Sequence, residues 1–518
     1  MKIERSKNAS RNVFFGIIQT AYNQLMPFIL RTIMIHVMGV EYLGLNSLFT
    51  SILSVLNLAE LGVGSAMVFS MYKPIVEDDT KTICALMKLY KTYYRIIGSA
   101  ICVVGLIITP FIPKLIKGDV PSGLNIYILY LMNLGATVLT YWLFAYKNCL
   151  LTAHQRNDVT SKIGLAVSTV TYTLQILSLV ITHNYYLYLI VALLMNAINN
   201  VVTALIVDKM FPEYHAIGKL PKERISSINK KVKDLFTAKL GTIIINSVDT
   251  IVISAFLGLR DLAIYQNYYY ILNAVFGFVT IIFNACTAGI GNSLIVESED
   301  KNLKDLNKFT LLTNWISCFC CCCFMCLYQP FIELWVGKDN MLTVSYVPLF
   351  VLYFYLKLNN QLLCTYKDAG GIWHEDRFRP IASALTDLTL NLILVNFIGL
   401  YGIILSTIIA LLFVATPWLY KNVFTVLFKK GFNQYVKKEL SQVLLIVFSV
   451  GSCYLVSSVI KVNSLIITII VRLFICVIVP NLIFFIVFRK KSEFYELLIL
   501  ADNITKGKFG FAKKVGKN

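Results

Sequence analysis

Long apolar stretches follow one another from residue 13 to residue 488 of this chain. An α-helix rises 1.5 Å per residue, so about 20 apolar residues cross the ~30 Å hydrocarbon core of a bilayer. The pattern therefore predicts an all-α polytopic membrane protein with about 14 transmembrane helices. We place these spans near residues 13–36, 46–70, 93–113, 125–146, 163–182, 185–207, 235–257, 265–291, 309–332, 344–366, 380–398, 400–420, 440–460 and 465–488.

Composition and charge agree with this interpretation and orient the spans. Of the 518 residues, 57% are hydrophobic and only 14% are charged, against roughly a quarter charged in soluble domains. Of the 47 Lys and Arg residues, 39 lie in or next to the termini and the even-numbered connections, and the odd-numbered connections hold five. Because basic residues accumulate on the cytoplasmic side, we expect both termini in the cytoplasm. The net charge of +19 is then a signal of topology and of contact with anionic membrane lipids, and we expect no nucleic-acid partner.

The connections also bear on the class of function. Those predicted to face outward are short, which leaves no room for an external catalytic domain, and the chain has no G-x-x-x-x-G-K-[ST] phosphate-binding loop. The sequence therefore favours a transporter over an enzyme and gives no sign of a cofactor.

Two parts of the chain match each other at an offset of about 220 residues. Tyr146-Lys147-Asn148 aligns with Tyr366-Lys367-Asp368, and Met38–Leu45 aligns with Leu257–Ile264. A repeat of six spans enters the membrane twice with the same polarity, and parallel repeats of this kind place the substrate at their interface. We therefore predict a six-helix repeat at 1–210, a second at 235–420, and two extra C-terminal helices with a cytoplasmic basic tail at 440–518.

Polar side chains recur at helical spacing inside several predicted spans. Gln24 and Arg31 share one face of span 1, and Asn246 and Asp249 lie at an equivalent place in span 7. Since a charge in the bilayer costs at least about 2.5 kcal/mol, we expect these residues to line a hydrophilic cavity between the repeats, a fixed structural network being the alternative. The candidate cavity residues are Arg31, Gln24, Lys239, Asn246, Asp249, Glu60, Asn57, Lys357 and Gln361, with Arg472 of span 14 as the candidate contact to the lipid tail or head group.

Arg31 and Asp249 occupy neighbouring depths after the repeat offset. We expect them to pair in one state of the transport cycle, because pairing offsets much of the cost of each charge. A permanent salt bridge, and two residues that never meet, are the alternatives.

Three segments carry a resemblance to a known family. MGVEYLGLNSLFTSILSVLNLAELGVGSAM after span 1, NSVDTIVISAFLG with IYQNYYYILNAV in spans 7–8, and LNLILVNFIGLYGIILSTIIA in spans 11–12 resemble bacterial polysaccharide transporters, the Wzx-type flippases. That family belongs to the superfamily of MATE drug exporters and lipid II flippases.

The resemblance implies a flippase of the bacterial cytoplasmic membrane. It would move undecaprenyl-diphosphate-linked oligosaccharide repeat units to the outer leaflet by alternating access, for O-antigen, capsule or exopolysaccharide assembly. The family's cationic cavity carries over to Arg31, and spans 13 and 14 would accommodate the lipid tail. Polysaccharide polymerase and the glycosyltransferases of the pathway would be partners, and the coupling ion stays open between H⁺ and Na⁺.

Three alternatives remain open on the residues alone. A MATE-like cation or drug antiporter would need an acidic cavity, whereas this chain mixes Arg31, Lys239 and Lys357 with Glu60 and Asp249. A lipid II flippase is a neighbouring function of the same class. A membrane polymerase or ligase would need a large external loop.

Overall fold

A computed structural model describes residues 5–118, 120–460 and 463–504 of the chain. Every regular element in these ranges is helical. The α-helices are α1 (Arg5–Val37), α2 (Val40–Leu56), α3 (Val63–Val76), α4 (Thr80–Ile108), α5 (Ile126–Trp142), α6 (Asn148–Ala153), α7 (Asn157–Thr182), α8 (Tyr185–Met210), α9 (Lys222–Phe256), α10 (Leu259–Val296), α11 (Glu299–Val336), α12 (Val347–Ala369), α13 (Arg379–Ile398), α14 (Leu400–Ile409), α15 (Thr416–Val423), α16 (Phe432–Val459), α17 (Leu465–Phe488) and α18 (Ser492–Ile504).

Helices lie at all 14 predicted spans, but span 46–70 is interrupted between α2 and α3, and span 400–420 covers α14, a π-helical segment and α15. Among the described residues, ten helices are long and apolar enough to cross a membrane, and an eleventh forms if Ile126–Trp142 and Ala145–Ala153, bent by 46°, count as one span. The other three are α1, α2 and α9. Only 17 residues make up α2, and the apolar part of α9 is Ile243–Phe256. The chain is thus an all-helical multi-pass membrane protein, and half of the ten candidate residues lie on α1 and α9, whose described residues do not reach the length and apolarity of a span.

The chain divides into two compact units, of which the first is Met1–Ala263. Inside it α1 packs on α7, α7 on α8, and α5 on both α4 and α8, while α9 packs on α2 and α3. Phe49 and Tyr130 are fully buried, with ring centroids 6.0 Å apart, and join α2 to α5. The predicted boundaries 1–210, 235–420 and 440–518 stay a prediction.

A break between α2 and α3 positions two of the candidate residues. A single 3₁₀ turn, Asn57–Glu60, follows the end of α2. Gly62 then has a φ of +86°, a backbone conformation that residues with a side chain rarely adopt. A Cβ at Gly62 would lie 2.5 Å from the Cβ of Leu235 on α9. Glycine is therefore needed here both for the left-handed turn and for the close approach of α9.

The second unit, Ile264–Asn518, is organised around α11. This helix packs against α12, α16, α17 and α18, and its cysteines Cys318, Cys320–Cys322 and Cys326 are buried. The two helices predicted to be extra, α16 and α17, thus dock on a small, apolar face of α11. The shorter α18 packs beneath them, with Phe494 buried and its ring centroid 5.5 Å from that of Trp315.

Candidate functional site

In the first unit, Glu60 lies at the centre of a cluster of hydroxyl groups. The Tyr94 hydroxyl donates to Glu60 Oε1 at 2.7 Å, and the Tyr141 hydroxyl lies 3.2 Å from both Glu60 Oε2 and Asn57 Oδ1. The Tyr90 hydroxyl donates in turn to that of Tyr94 at 2.6 Å. The helix break brings Glu60 to α4 and α5, so the carboxylate is held by neutral donors from two other helices.

This cluster borders a cavity of about 550 Å³ whose lining includes Glu60, Ser65, Tyr90, Tyr94 and Asn148. Glu60 is half-buried, so its carboxylate is both hydrogen-bonded and accessible. Such a position can accept a further donor or a cation without breaking the fold.

In the second unit, Lys357 is surrounded by aromatic rings. Its Nζ donates to Asn273 Oδ1 at 2.7 Å and lies 4.6 Å from the ring centroid of Phe276, 5.3 Å from that of Tyr353 and 5.5 Å from that of Tyr269. Cations within about 6 Å of a ring face are attracted by its quadrupole. We call Lys357, Asn273 and these three rings the lysine cage.

The spacing of residues on two helices builds the lysine cage. Tyr269, Asn273 and Phe276 stand at i, i+4 and i+7 on α10, and Tyr353 and Lys357 at i and i+4 on α12, so each set shares one face. The Tyr269 and Tyr353 rings also stack, with centroids 6.1 Å apart. Among the residues that the structure describes, Lys357 has no carboxylate partner within ion-pair distance, so its charge stays uncompensated.

The other candidate residues are placed as follows. Gln24 and Arg31 are half-buried on α1, and Gln361 is half-buried on α12 one turn beyond Lys357. Asp249 is buried on α9. Arg31 and Asp249 both make interactions of their own, and their mutual pairing stays a prediction, as does the cavity between the repeats. Lys239 and Asn246 fall on α9 at positions whose side chains lie outside the described part of the structure.

Arg472 turns toward a neighbouring helix. Its Nη1 donates to the carbonyl oxygen of Cys326 at 3.0 Å and so ties α17 to α11. The structure thus gives this arginine a packing contact, and its role toward the lipid stays a prediction.

Sequence reasoning missed the aromatic partners of both charges. Tyr94 and Tyr141 come from helices far from Glu60 in the chain, so no local pattern announces them. The rings of the lysine cage were recoverable in part, because Tyr269 and Phe276 share the helical face of Asn273, and Tyr353 precedes Lys357 by one turn.

A family model described as "Polysaccharide biosynthesis protein" matches residues 9–287, more than half of the chain. No curated protein sequence matches this chain significantly.

Solved structures share the fold at low sequence identity. The lipid II flippase MurJ in an inward closed conformation aligns with a TM-score of 0.68 and 16% identity, covering 92% of this chain and 99% of that one. A MATE family multidrug resistance transporter of the MOP superfamily, in an inward-facing conformation, aligns with a TM-score of 0.61 and 14% identity, covering 81% and 96%. A MOP superfamily transporter from Pyrococcus furiosus aligns with a TM-score of 0.53 and 14% identity, covering 82% and 97%. These similarities establish the fold.

Proposed function

Because the chain belongs to the polysaccharide biosynthesis protein family, we propose that it is a flippase for lipid-linked oligosaccharides. It moves undecaprenyl-diphosphate-linked repeat units across the bacterial cytoplasmic membrane by alternating access and keeps both termini in the cytoplasm. The polymerase and glycosyltransferases of the same pathway are its functional partners. The family, the multi-pass fold and the lysine cage support this proposal.

The lysine cage is the observation that carries it. A diphosphate cannot enter hydrocarbon without groups that replace its water, and an uncompensated ammonium supplies a fixed positive charge for it. The surrounding rings, half-exposed at Tyr269 and Phe276, offer apolar faces to the C–H side of sugar rings. A site with one cation and three aromatic rings therefore suits an anionic group attached to a saccharide.

The membrane potential supplies a driving force. Moving one charge across 100 mV changes its free energy by roughly 2.3 kcal/mol, and an interior-negative potential favours outward movement of an anion. Two charges on a diphosphate would gain roughly 5 kcal/mol on this basis. Coupling to H⁺ or Na⁺ would alter this balance, and reconstitution at zero potential with and without each ion would separate these cases.

The test is transbilayer movement of a fluorescent polyprenyl-diphosphate-linked saccharide in proteoliposomes. Replacing Lys357 with Gln removes the charge and keeps a hydrogen-bond donor, and we expect transport to fall at least about tenfold, the scale of one lost charge-assisted hydrogen bond. Lys357→Arg should retain part of the activity. Lys231→Gln is the matched control, because Lys231 also lies over a ring, that of Phe69 at 4.3 Å.

The outcomes separate the alternatives. Movement of lipid II in preference to other saccharides would identify a lipid II flippase, and export of organic cations with no movement of prenyl diphosphates would identify a MATE-like antiporter. Full transport by a well-expressed Lys357→Gln variant would show that the lysine cage is not the anion site.

A further inference from the structure

A second cavity of the first unit lies between α2, α5 and α8 and has a volume of about 290 Å³. Its polar lining is formed by Thr50, Ser54, Asn57, Asn133, Thr137 and Asn196, together with Thr140 and Tyr141. We call this cavity the neutral pocket, because none of its lining residues is charged. Its volume is at the lower end of the roughly 300–1,000 Å³ typical of ligand sites, which suits one small ring.

The hydroxyl groups of the neutral pocket present acceptors. Thr50, Ser54 and Thr137 each donate their hydroxyl proton to the carbonyl oxygen four residues earlier in their own helix, at 2.7–3.0 Å. Their protons are therefore committed, and the oxygen lone pairs are left to face the cavity. Asn133 Nδ2 also donates to the carbonyl oxygen of Leu129, at 2.8 Å, and its Oδ1 is left as an acceptor.

The amide groups of two asparagines supply donors. Asn57 accepts from Tyr141 through Oδ1, which leaves its NH₂ group as a hydrogen-bond donor. Asn196 is exposed, although it lies within a membrane-spanning helix, Tyr185–Met210. An exposed amide at this depth is costly in lipid and is explained if it faces a polar ligand or water in the pocket.

The neutral pocket thus combines several neutral acceptors, two amide donors and an apolar remainder. The apolar part of its lining consists of Leu53, Met132, Ala136, Leu189 and Ala192. A diphosphate would meet acceptors without a cation, and a hydrocarbon tail would leave the amides unsatisfied. A sugar ring fits both sets, because its hydroxyl groups donate and accept while its C–H faces are apolar. We propose that the neutral pocket binds one uncharged sugar residue of the translocated lipid-linked saccharide. This inference rests on the proposed function and adds the part of the substrate that the first unit recognises.

The test compares binding of two kinds of probe to the purified full chain in lipid nanodiscs. One is geranylgeranyl diphosphate, and the other is the same molecule carrying glucose, galactose or N-acetylglucosamine. Wild type should bind at least one glycosylated probe about tenfold more tightly than the bare diphosphate, the scale of one to two net hydrogen bonds. The double variant Asn133→Leu, Thr137→Val should bring this ratio to about one while the affinity for bare diphosphate stays unchanged.

Matched controls lie outside the neutral pocket. Asn396→Leu and Thr173→Val make the same changes at exposed positions whose side chains also bond to the carbonyl four residues earlier, and they should keep the ratio. Ala192→Leu fills the pocket without removing a polar group and should also abolish the preference. It gives an independent result if the double variant does not fold.

Three outcomes would overturn the inference. The pocket variants could keep the wild-type ratio, wild type could bind all glycosylated probes no better than bare diphosphate, or Na⁺ could raise the thermal stability of wild type but not of Asn133→Leu. The last result would make the pocket a cation site. Wild type that binds neither kind of probe would instead contradict the proposed function, so the two failures are distinguishable. Methyl glycosides without a lipid, used as competitors, show whether the sugar is recognised on its own.

Discussion

Two charges, Glu60 and Lys357, are held by neutral partners in the part of the chain that the structure describes. Tyrosine hydroxyls bond to Glu60, and aromatic rings with an amide oxygen surround Lys357. A salt bridge would cancel much of the electric field of each charge. Neutral partners lower the free-energy cost of burying the charge and leave its field available to a ligand. Both arrangements therefore leave a charge that a ligand can approach.

Glu60 should contribute to stability through its two tyrosine bonds. Glu60→Leu leaves the Tyr94 hydroxyl without this acceptor, at a cost of about 1–3 kcal/mol, whereas the Tyr141 hydroxyl keeps Asn57 Oδ1 as an acceptor. Glu60→Gln keeps one acceptor oxygen and should cost less. We expect the midpoint of thermal unfolding in detergent to fall in the order wild type, Gln, Leu. Glu77→Leu, at an exposed ion pair with Lys73, should change it little, and an unchanged midpoint in Glu60→Leu would contradict the assigned contacts.

His154 should make stability depend on pH. It is buried, its Nδ1 lies 2.9 Å from the carbonyl oxygen of Leu150, and its ring packs 4.4 Å from that of Phe211. Burial lowers the pKa of His154 below its ordinary value of 6.5, although the bond to Leu150 acts in the opposite direction. The unfolded chain therefore takes up a proton first as the pH falls. The stability that neutral His154 contributes is complete above pH 6.5 and is lost as the pH falls from there through the folded pKa.

The measurement for His154 is the thermal midpoint at pH 7.5 and at pH 5. Wild type should lose more stability on acidification than His154→Phe, which keeps the ring contact and cannot take up a proton. His215→Gln, at an exposed position, is the control and should follow wild type. Equal acid sensitivity of wild type and His154→Phe would show that other groups govern the pH dependence.

At the scale of elements, close helix packing depends on particular glycines. Gly44 on α2 meets the backbone of Leu259, and a Cβ at this position would lie 2.3 Å from the Leu259 carbonyl oxygen. Backbone atoms cannot move aside as a side chain can, so the two segments would have to separate. Gly44 is therefore the residue that sets the distance between them.

Gly44→Ala should destabilise the first unit by about 1–3 kcal/mol, the usual cost of overpacking. Gly135→Ala makes the same change on α5, where nothing lies within 4 Å of the added Cβ, and should stabilise by about 0.5–1 kcal/mol through helix propensity. Thermal midpoints of the two variants in detergent should therefore move in opposite directions. A rise of the midpoint in both variants would show that helix propensity outweighs packing at Gly44.

The elements were largely predictable from the sequence, and their contacts were not. Apolar length predicted where the helices lie, because the bilayer thickness fixes the length of a helix that crosses it. Among the described residues, ten or eleven of these helices are long and apolar enough to cross a membrane. The break at Asn57–Glu60 was not predicted, since the decisive contact of Gly62 is with Leu235, far along the chain. The predicted family and the all-helical fold are confirmed, whereas the roles of the candidate residues stay predictions. Pairings between distant helices depend on packing, which no local pattern encodes.

At the scale of the whole molecule, the distribution of basic residues predicts the topology. Of 47 Lys and Arg residues, 39 lie in or next to the connections on the side of the termini, and the opposite connections hold only Lys114, Lys117, Arg260, Lys338 and Lys461. Basic flanks resist translocation across an interior-negative membrane, so the side that holds them stays in the cytoplasm. Both termini should therefore be cytoplasmic, and the connection that contains Asn340 should face outward.

Two reporters test this topology in opposite senses. Alkaline phosphatase, active only outside the cytoplasm, should be silent after Asn518 and active after Asn340, and a fluorescent protein that folds only in the cytoplasm should show the reverse. The asymmetry is large enough that moving a few charges should not invert it, so replacing Lys429 and Lys430 with Gln should leave both patterns unchanged. These two lysines pair with Glu299 and Asp300 on the same side of the membrane. The double variant therefore tests the summed basic charge of that side and not one contact. Strong phosphatase activity after both Asn518 and Asn340 would require an even number of spans between them instead of the predicted five, and that result would overturn the 14-span prediction. Activity after Asn518 with silence after Asn340 would instead overturn the predicted orientation.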